Sequence, residues 1–467
     1  MFSKYLKSQE TKCKEIVNEL SKTFKYVSIL ATDVKNINYR VLKNSTDISD
    51  SMFSECGFVI KMSNGNSFFE YSLDNLDMDT KELANKVIND LKISKKLENK
   101  MVNTLDVDDL PLVKDFERKS DFNQFNDKII ISKLEELNKL VQAKSKNILN
   151  VLTGLNTLDV NKLFVSKNRC LTQHYTWCNL NLVLIYQNNS KLVQPRESTY
   201  SNNISECFLG MKDKIDKLLI KAECLSKATA IKPGVYDIIT DASITGLIAH
   251  EAFGHGVEMD QFVKDRAMAK NCMGEFVASE ITTLKDGATS GFSTASYFFD
   301  DDGVLAQDTT IINNGRLVSG ICDLVSSRQL GVNPTGNGRR ENYKHKAYTR
   351  MTNTFIAKGS DSLEDMIKSI KHGYFLCETN NGMEDPKNWN IQCTAEYGIE
   401  IIDGKLTDNY VSPVVMSGSV PELLKSISMV SDDFELEGAG SCGKGYKEWV
   451  RVSSGGSNIK ARCKLSW

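Results

Sequence analysis

Five histidines occur in 467 residues, and two of them bracket a carboxylate in Leu247-Ile-Ala-His250-Glu251-Ala-Phe-Gly-His255-Gly-Val-Glu258. Two imidazoles can hold a zinc ion and a nearby Glu can serve as base, the materials of metal-assisted hydrolysis. The familiar zinc-peptidase pattern sets its histidines four positions apart, on one helix face. Here they are five apart, and roughly 100° per residue turns the rings about 140° away from each other on a regular α-helix. A π-bulge or a break near Ala252–Gly254 is therefore required if both are to reach one ion, and such bulges favour functional sites. Gly254 removes a side-chain obstacle to that distortion. Without it, the stretch is a helix carrying two ordinary polar histidines.

Two histidines need a further protein ligand. Ser441-Cys442-Gly443-Lys444-Gly445 can supply a thiolate, with Lys444 near enough in sequence to favour the anion. Glu258 and Asp260 are rivals, and a buried structural Cys is the plainer reading of Cys442. A second dense stretch, Asn333-Pro-Thr-Gly-Asn-Gly-Arg339-Arg340-Glu-Asn-Tyr343-Lys-His345, is rich in turn formers. Its Arg339, Arg340, Tyr343 and His345 are candidates for binding a peptide carboxylate or a developing oxyanion. Asp300-Asp-Asp302-Gly303 lacks the remaining ligands of a calcium loop and reads as a solvated turn. His174 and His372 stand alone and read as structural.

The elements that must position these groups follow from periodicity. Amphipathic helices are expected over Tyr5–Phe24, Thr80–Leu91, Asn126–Gln142 and Glu206–Lys227, with a solvated acidic loop at 106–112. Strands are expected over Tyr26–Leu30, Asn38–Leu42, Leu149–Val165 and Cys170–Tyr186. Gly57–Met62 and Ser67–Tyr71 form a hairpin about Asn64-Gly65. A strand ending near Ile239 leads into the metal-motif helix, with Asp241 or Ser243 as its cap. Beyond it come short strand candidates at Ser296–Phe299, Thr310–Asn313, Arg316–Val318, Thr354–Ala357, Gly398–Ile402 and Tyr410–Pro413. The fold class is therefore α+β. An N-terminal α/β domain with a mixed sheet and helices covers residues 1–200. A mainly antiparallel β domain, sandwich or barrel-like, covers 201–467 and carries the metal-motif helix.

Composition narrows the function classes. Lys+Arg 58 against Asp+Glu 60 gives 58 − 60 = −2, which offers no field for nucleic acid or an anionic membrane. The longest apolar runs are too short to span a bilayer, and the first ten residues have no signal-like core. Twelve scattered Cys without CxxC pairs read as reduced thiols, so a cytoplasmic location is expected.

Assembled, His250-Glu-Ala-Phe-Gly-His255-Gly, Pro334-Thr-Gly-Asn-Gly-Arg-Arg340, Arg350-Met-Thr-Asn-Thr354 and Cys442-Gly-Lys444 resemble the TldD/PmbA family, on its TldD-like metallopeptidase branch. The strong matches run from about residue 230 to the end. The resemblance implies zinc held at His250, His255 and Cys442, with Glu251 as the catalytic carboxylate. It also implies a dimer enclosing the site, with a copy of itself or with a TldE/PmbA-like subunit, and extended or unfolded peptides as substrates. The competing class is a non-enzymatic peptide-binding or regulatory partner with a structural metal, in line with the family's older association with gyrase modulation.

Overall fold

The computed structural model describes residues 1–94, 107, 109–438, 440–445 and 448–467. Asp106 and Asp108 of the expected acidic loop lie outside the described residues. The chain is a mixture of helix and strand, as its periodicities require.

Three long strands dominate the N-terminal region: Tyr26–Leu42, Ile148–Ser166 and Arg169–Asn188. They pair antiparallel, and Glu55–Ser63 with Phe68–Leu73 extends the sheet on one side. Leu112–Glu117 closes the other side and is the parallel member that makes the sheet mixed. Alternation sorts the two faces. Val27, Ile29, Ala31, Tyr39 and Val41 face the helices Lys4–Leu20, Thr80–Ser94, Asp127–Gln142 and Ile204–Lys227. Leu30 and Val34 face the other way, onto Phe299 and Tyr297 from beyond the metal motif. The helix Ile204–Lys227 thus buries Cys207, Phe208, Met211, Ile215 and Leu218 in the core of the N-terminal sheet.

In the C-terminal region Gly234–Thr240, His372–Asp385, Asn390–Ile402, Val414–Ser419 and Ile459–Ser466 pair in that order, and the last pairs back to the first. The result is a closed five-stranded barrel, parallel only between Gly234–Thr240 and His372–Asp385. A second sheet runs through Thr309–Asn313, Leu284–Asp286, Asn353–Ile356 and Ser453–Gly456. Between barrel and sheet lies the metal-motif helix. Ile244, Ile248, Ala249, Ala252, Phe253 and Val257 pack with Leu376, Ala395, Met416, Ile459 and Ile356 in one core. Burying a side chain such as Phe253 contributes about 1.5–3 kcal/mol, which fixes the helix rigidly.

Two expectations fail. Ser296–Phe299 is not a strand; it packs its aromatics against the N-terminal sheet. Asp300, Asp301 and Asp302 are buried, not solvated. Lys61 pairs with Asp302 and Lys162 with Asp301. These lysines come from N-terminal strands, so nothing local to the Asp run announces them.

Candidate metal centre

The helix that carries the motif starts at Ala242, where Asp241 Oδ1 accepts from Ile244 N–H at 2.8 Å. It runs as α-helix to Leu247, becomes a π-helix over Ile248–Gly254, and tightens to one 3-10 turn at His255–Val257. The His255 N–H bonds to the His250 carbonyl, five residues back. This wide turn brings the two histidines together edge to face, with ring centroids 5.2 Å apart and planes at 85°. Gly254 has ordinary helical angles, φ −60° and ψ −49°. Its lack of a side chain answers a different need, because a Cβ there would lie 2.1 Å from Met351 Sδ.

Cys442 arrives from the short hairpin Ser441–Lys444 and Glu448–Arg451. Its Sγ lies 3.4 Å from His255 Nε2. One donor atom each from His250, His255 and Cys442 fall within 4.8 Å of one another. Arg350, almost wholly buried, holds this hairpin by donating to the carbonyls of Cys442 and Glu448. Arg350 belongs to a motif visible in the sequence, but its role depends on a strand 92 residues away.

Charge within the cluster is mutually sustained. Burial raises the Cys442 thiol, but His255 and His250 outweigh it and hold the thiol well below its usual range. Burial opposes charge on His255, yet the Cys442 thiolate and then Glu258 raise it well above the ordinary histidine value. His255 Nδ1 meets Glu258 Oε2 at 3.2 Å, the carboxylate–histidine arrangement that orients a metal ligand. His250 Nδ1 is buried and has no hydrogen-bond partner among the described residues. A thiolate, two imidazoles and a supporting carboxylate are the donor chemistry of a borderline-soft divalent ion, zinc in particular.

Glu251 points into the same cleft, with Oε2 4.0 Å from His255 Nε2. Burial raises its proton affinity, which suits a general base working near neutral pH. The cleft has a volume of about 650 Å³, lined by Glu251, His255, Glu384, Cys442, Lys444 and Trp449 among others.

Residues 233–458 match the PmbA/TldA metallopeptidase C-terminal domain. This stretch, close to half of the chain, is a TldD/PmbA-family domain. A metalloprotease of Methanothermobacter thermautotrophicus is 35% identical to it over 243 residues, 52% of each chain. A zinc metalloprotease TldD homolog of Saccharolobus solfataricus is 30% identical over 237 residues, 50% of this chain and 52% of its own. The chain thus matches about half the length of these curated relatives. TldE from Thermococcus kodakarensis shares the fold, with a TM-score of 0.75 over 97% of this chain and 99% of that one, at 20% identity.

The other sequence candidates lie elsewhere. Glu258 and Asp260, the rival ligands, both face Lys444 Nζ, at 2.8 and 2.7 Å. Lys444 therefore serves these carboxylates rather than the thiol. Arg340 forks onto Glu70 at 3.1 and 3.2 Å and donates to the His345 carbonyl. Tyr343 N–H donates to Glu55 at 2.7 Å, and its hydroxyl to Asp74. His345 meets Glu341 at 3.0 Å and Glu448 at 3.6 Å. Arg339 donates to the Met351 carbonyl at 2.7 Å and covers the Tyr297 ring. None of the four lines the metal cleft. Their composition suits a ligand loop, but all four are occupied by carboxylates or a carbonyl, those of Arg340 and Tyr343 coming from the N-terminal region.

Among the described residues no helix is long and apolar enough to cross a membrane. All 12 cysteines are free.

Proposed function

We propose that this protein is a zinc-dependent peptidase acting on extended or unfolded peptides. The observation that carries the reading is the convergence of His250, His255 and Cys442, the last two lining one cleft with Glu251. In this reading His250, His255 and Cys442 hold the ion, and Glu258 steadies His255. Zinc, when bound, acts as a Lewis acid and acidifies water. Glu251 takes the proton of the attacking water and returns it to the departing amine. The names of the metalloprotease relatives, one of them a zinc enzyme, support the activity.

The fold shared with TldE supports a dimer as the working form, with either a second copy or a TldE-like subunit closing the cleft. Exclusion of folded proteins follows from such a closed site, and a cytoplasmic location suits the free thiols.

Glu251→Gln tests the reading. Zinc content is expected to stay at the wild-type level while peptide cleavage falls by at least about 100-fold, the scale of a lost general base. Cleavage that persists in the variant, or that survives removal of zinc by a chelator, overturns the proposal.

A further inference from the structure

Most charges in the metal cleft are answered from within the protein. Glu258 faces Lys444 and His255, and Asp260 faces Lys444 and Lys264. Glu251 faces His255. Glu384 is different. It extends from the strand His372–Asp385 and lines the same cleft. Its Oε1 and Oε2 are both buried, and neither has a hydrogen-bond partner among the described residues.

The surroundings are shaped around this carboxyl. A Cβ on Gly256 would lie 2.9 Å from Glu384 Oε1 and 3.3 Å from Trp389 Nε1. The indole N–H of Trp389 is buried and equally without a partner. Burial drives the proton affinity of Glu384 well above the usual carboxylate range; His255 and the nearby Gly256 backbone oppose the rise, and Glu251 and Glu258 add to it. An apolar side chain at this position would escape that penalty, because an unanswered buried carboxyl is destabilising. Residues that break such local rules concentrate where a ligand is met.

We infer that Glu384 is a specificity residue of the metal cleft, receiving the positive charge of a substrate as an ammonium or guanidinium group bound beside His255. The inference rests on the cleft being a peptide site. Glu258 is already paired with Lys444 and His255, and Glu251 faces His255, so Glu384 is the carboxyl of the cleft that no cation of the protein pairs with among the described residues. A cation entering the cleft is therefore the ligand class that Glu384 can stabilise, through the charge-assisted hydrogen bond it otherwise lacks. The charge belongs either to a free peptide amino terminus or to a Lys or Arg side chain.

The test reads binding to zinc-loaded Glu251→Gln protein, so that turnover does not enter. Three unlabelled peptides compete against a fluorescent one: a parent with a free amino terminus and one Lys, its N-acetylated form, and its Lys→norleucine form. One neutralised peptide is expected to bind about ten-fold more weakly than the parent, and adding Glu384→Gln should abolish that difference. Loss on acetylation assigns the amino terminus, and loss with norleucine assigns the side chain. Equal binding of all three, no binding of any, or a difference that persists with Glu384→Gln overturns the inference. Glu384→Met, which fills the same space without charge, replaces the Gln variant should that one fail to fold. Cleavage that ignores peptide charge would sink this inference and leave the peptidase standing. Charge-selective binding without cleavage by the wild-type chain would do the reverse.

Discussion

Cys442 is the member through which the His250–His255–Cys442 cluster is coupled: it raises the proton affinity of both histidines, and they lower its own. Removing the thiolate takes away one of the three converging donors. Cys442→Ser is therefore expected to lower zinc affinity by at least about 100-fold, beyond the 10–100-fold typical of lost outer-shell partners. Metal content after dialysis against a weak chelator measures it; stoichiometric zinc in the variant would remove Cys442 from the ligand set. A second titratable residue acts on stability. Glu55 is held by burial up to about 7, with Asp301 adding to the rise and Lys162 opposing it. In the unfolded chain it loses its proton near 4.5, so between that pH and about 7 the unfolded state binds fewer protons and folding loses stability. Glu55→Gln keeps an acceptor for Tyr343 N–H and removes the titration. Its unfolding free energy should fall less than the wild type's between pH 4.5 and 7, by on the order of 2 kcal/mol. Urea titrations at the two pH values check this; parallel profiles refute it.

At the scale of elements, the metal helix is fixed by how closely it approaches a strand. A Cβ on Gly246 would lie 2.3 Å from Gly455 N, so helix and Ser453–Gly456 touch backbone to backbone. Gly246→Ala cannot be relieved by rotating a side chain. It should destabilise the protein by about 1–3 kcal/mol, as overpacking does, and loosen metal binding with it, because the displaced helix carries two of the proposed ligands, His250 and His255. Thermal unfolding and zinc content, measured together, should both fall; an unchanged zinc affinity would mean that the helix is held elsewhere. This scale also shows what the sequence could reveal. The His250–His255 spacing demands a widened turn because five residues overshoot an α-helical face, and the π-helix at Ile248–Gly254 answers that demand. The hairpin about Asn64-Gly65 and the helix cap at Asp241, one of the two candidates there, are local chemistry and appear where expected. The Asp300–Asp302 run and the Arg339–His345 loop were legible as polar, but Asp301, Asp302, Arg340 and Tyr343 find partners more than 100 residues away in the N-terminal region. Glu384 gave no signal at all, since an isolated Glu in a strand looks solvated until its burial is seen.

On the scale of the whole molecule, the two regions are joined by a charged seam beneath the N-terminal sheet. Lys61 meets Asp302 and Glu70, Lys162 meets Asp301, and Arg340 meets Glu70, all with little exposure to solvent. Asp301 also accepts from the Arg340 N–H at 2.9 Å. The seam ties the Arg339–Arg340 segment to the sheet, and through Arg350 the neighbouring strand reaches the Cys442 hairpin. Buried pairs of this kind give little net stability over apolar residues of equal size, yet breaking one strands a charge in a poor solvent. Lys162→Met alone leaves the Asp301 carboxylate facing only Arg340 and should cost about 3–5 kcal/mol. Asp301→Leu alone strands Lys162 and should cost a similar amount. In the double variant neither charge remains, so the loss should be smaller than the sum of the two by at least about 1–3 kcal/mol, the range of coupling for residues in direct contact. Chemical denaturation of the four proteins, with one cooperative transition in each, completes the cycle. Additive losses would mean that the seam is a set of independent contacts rather than the joint through which the N-terminal sheet braces the metal cleft.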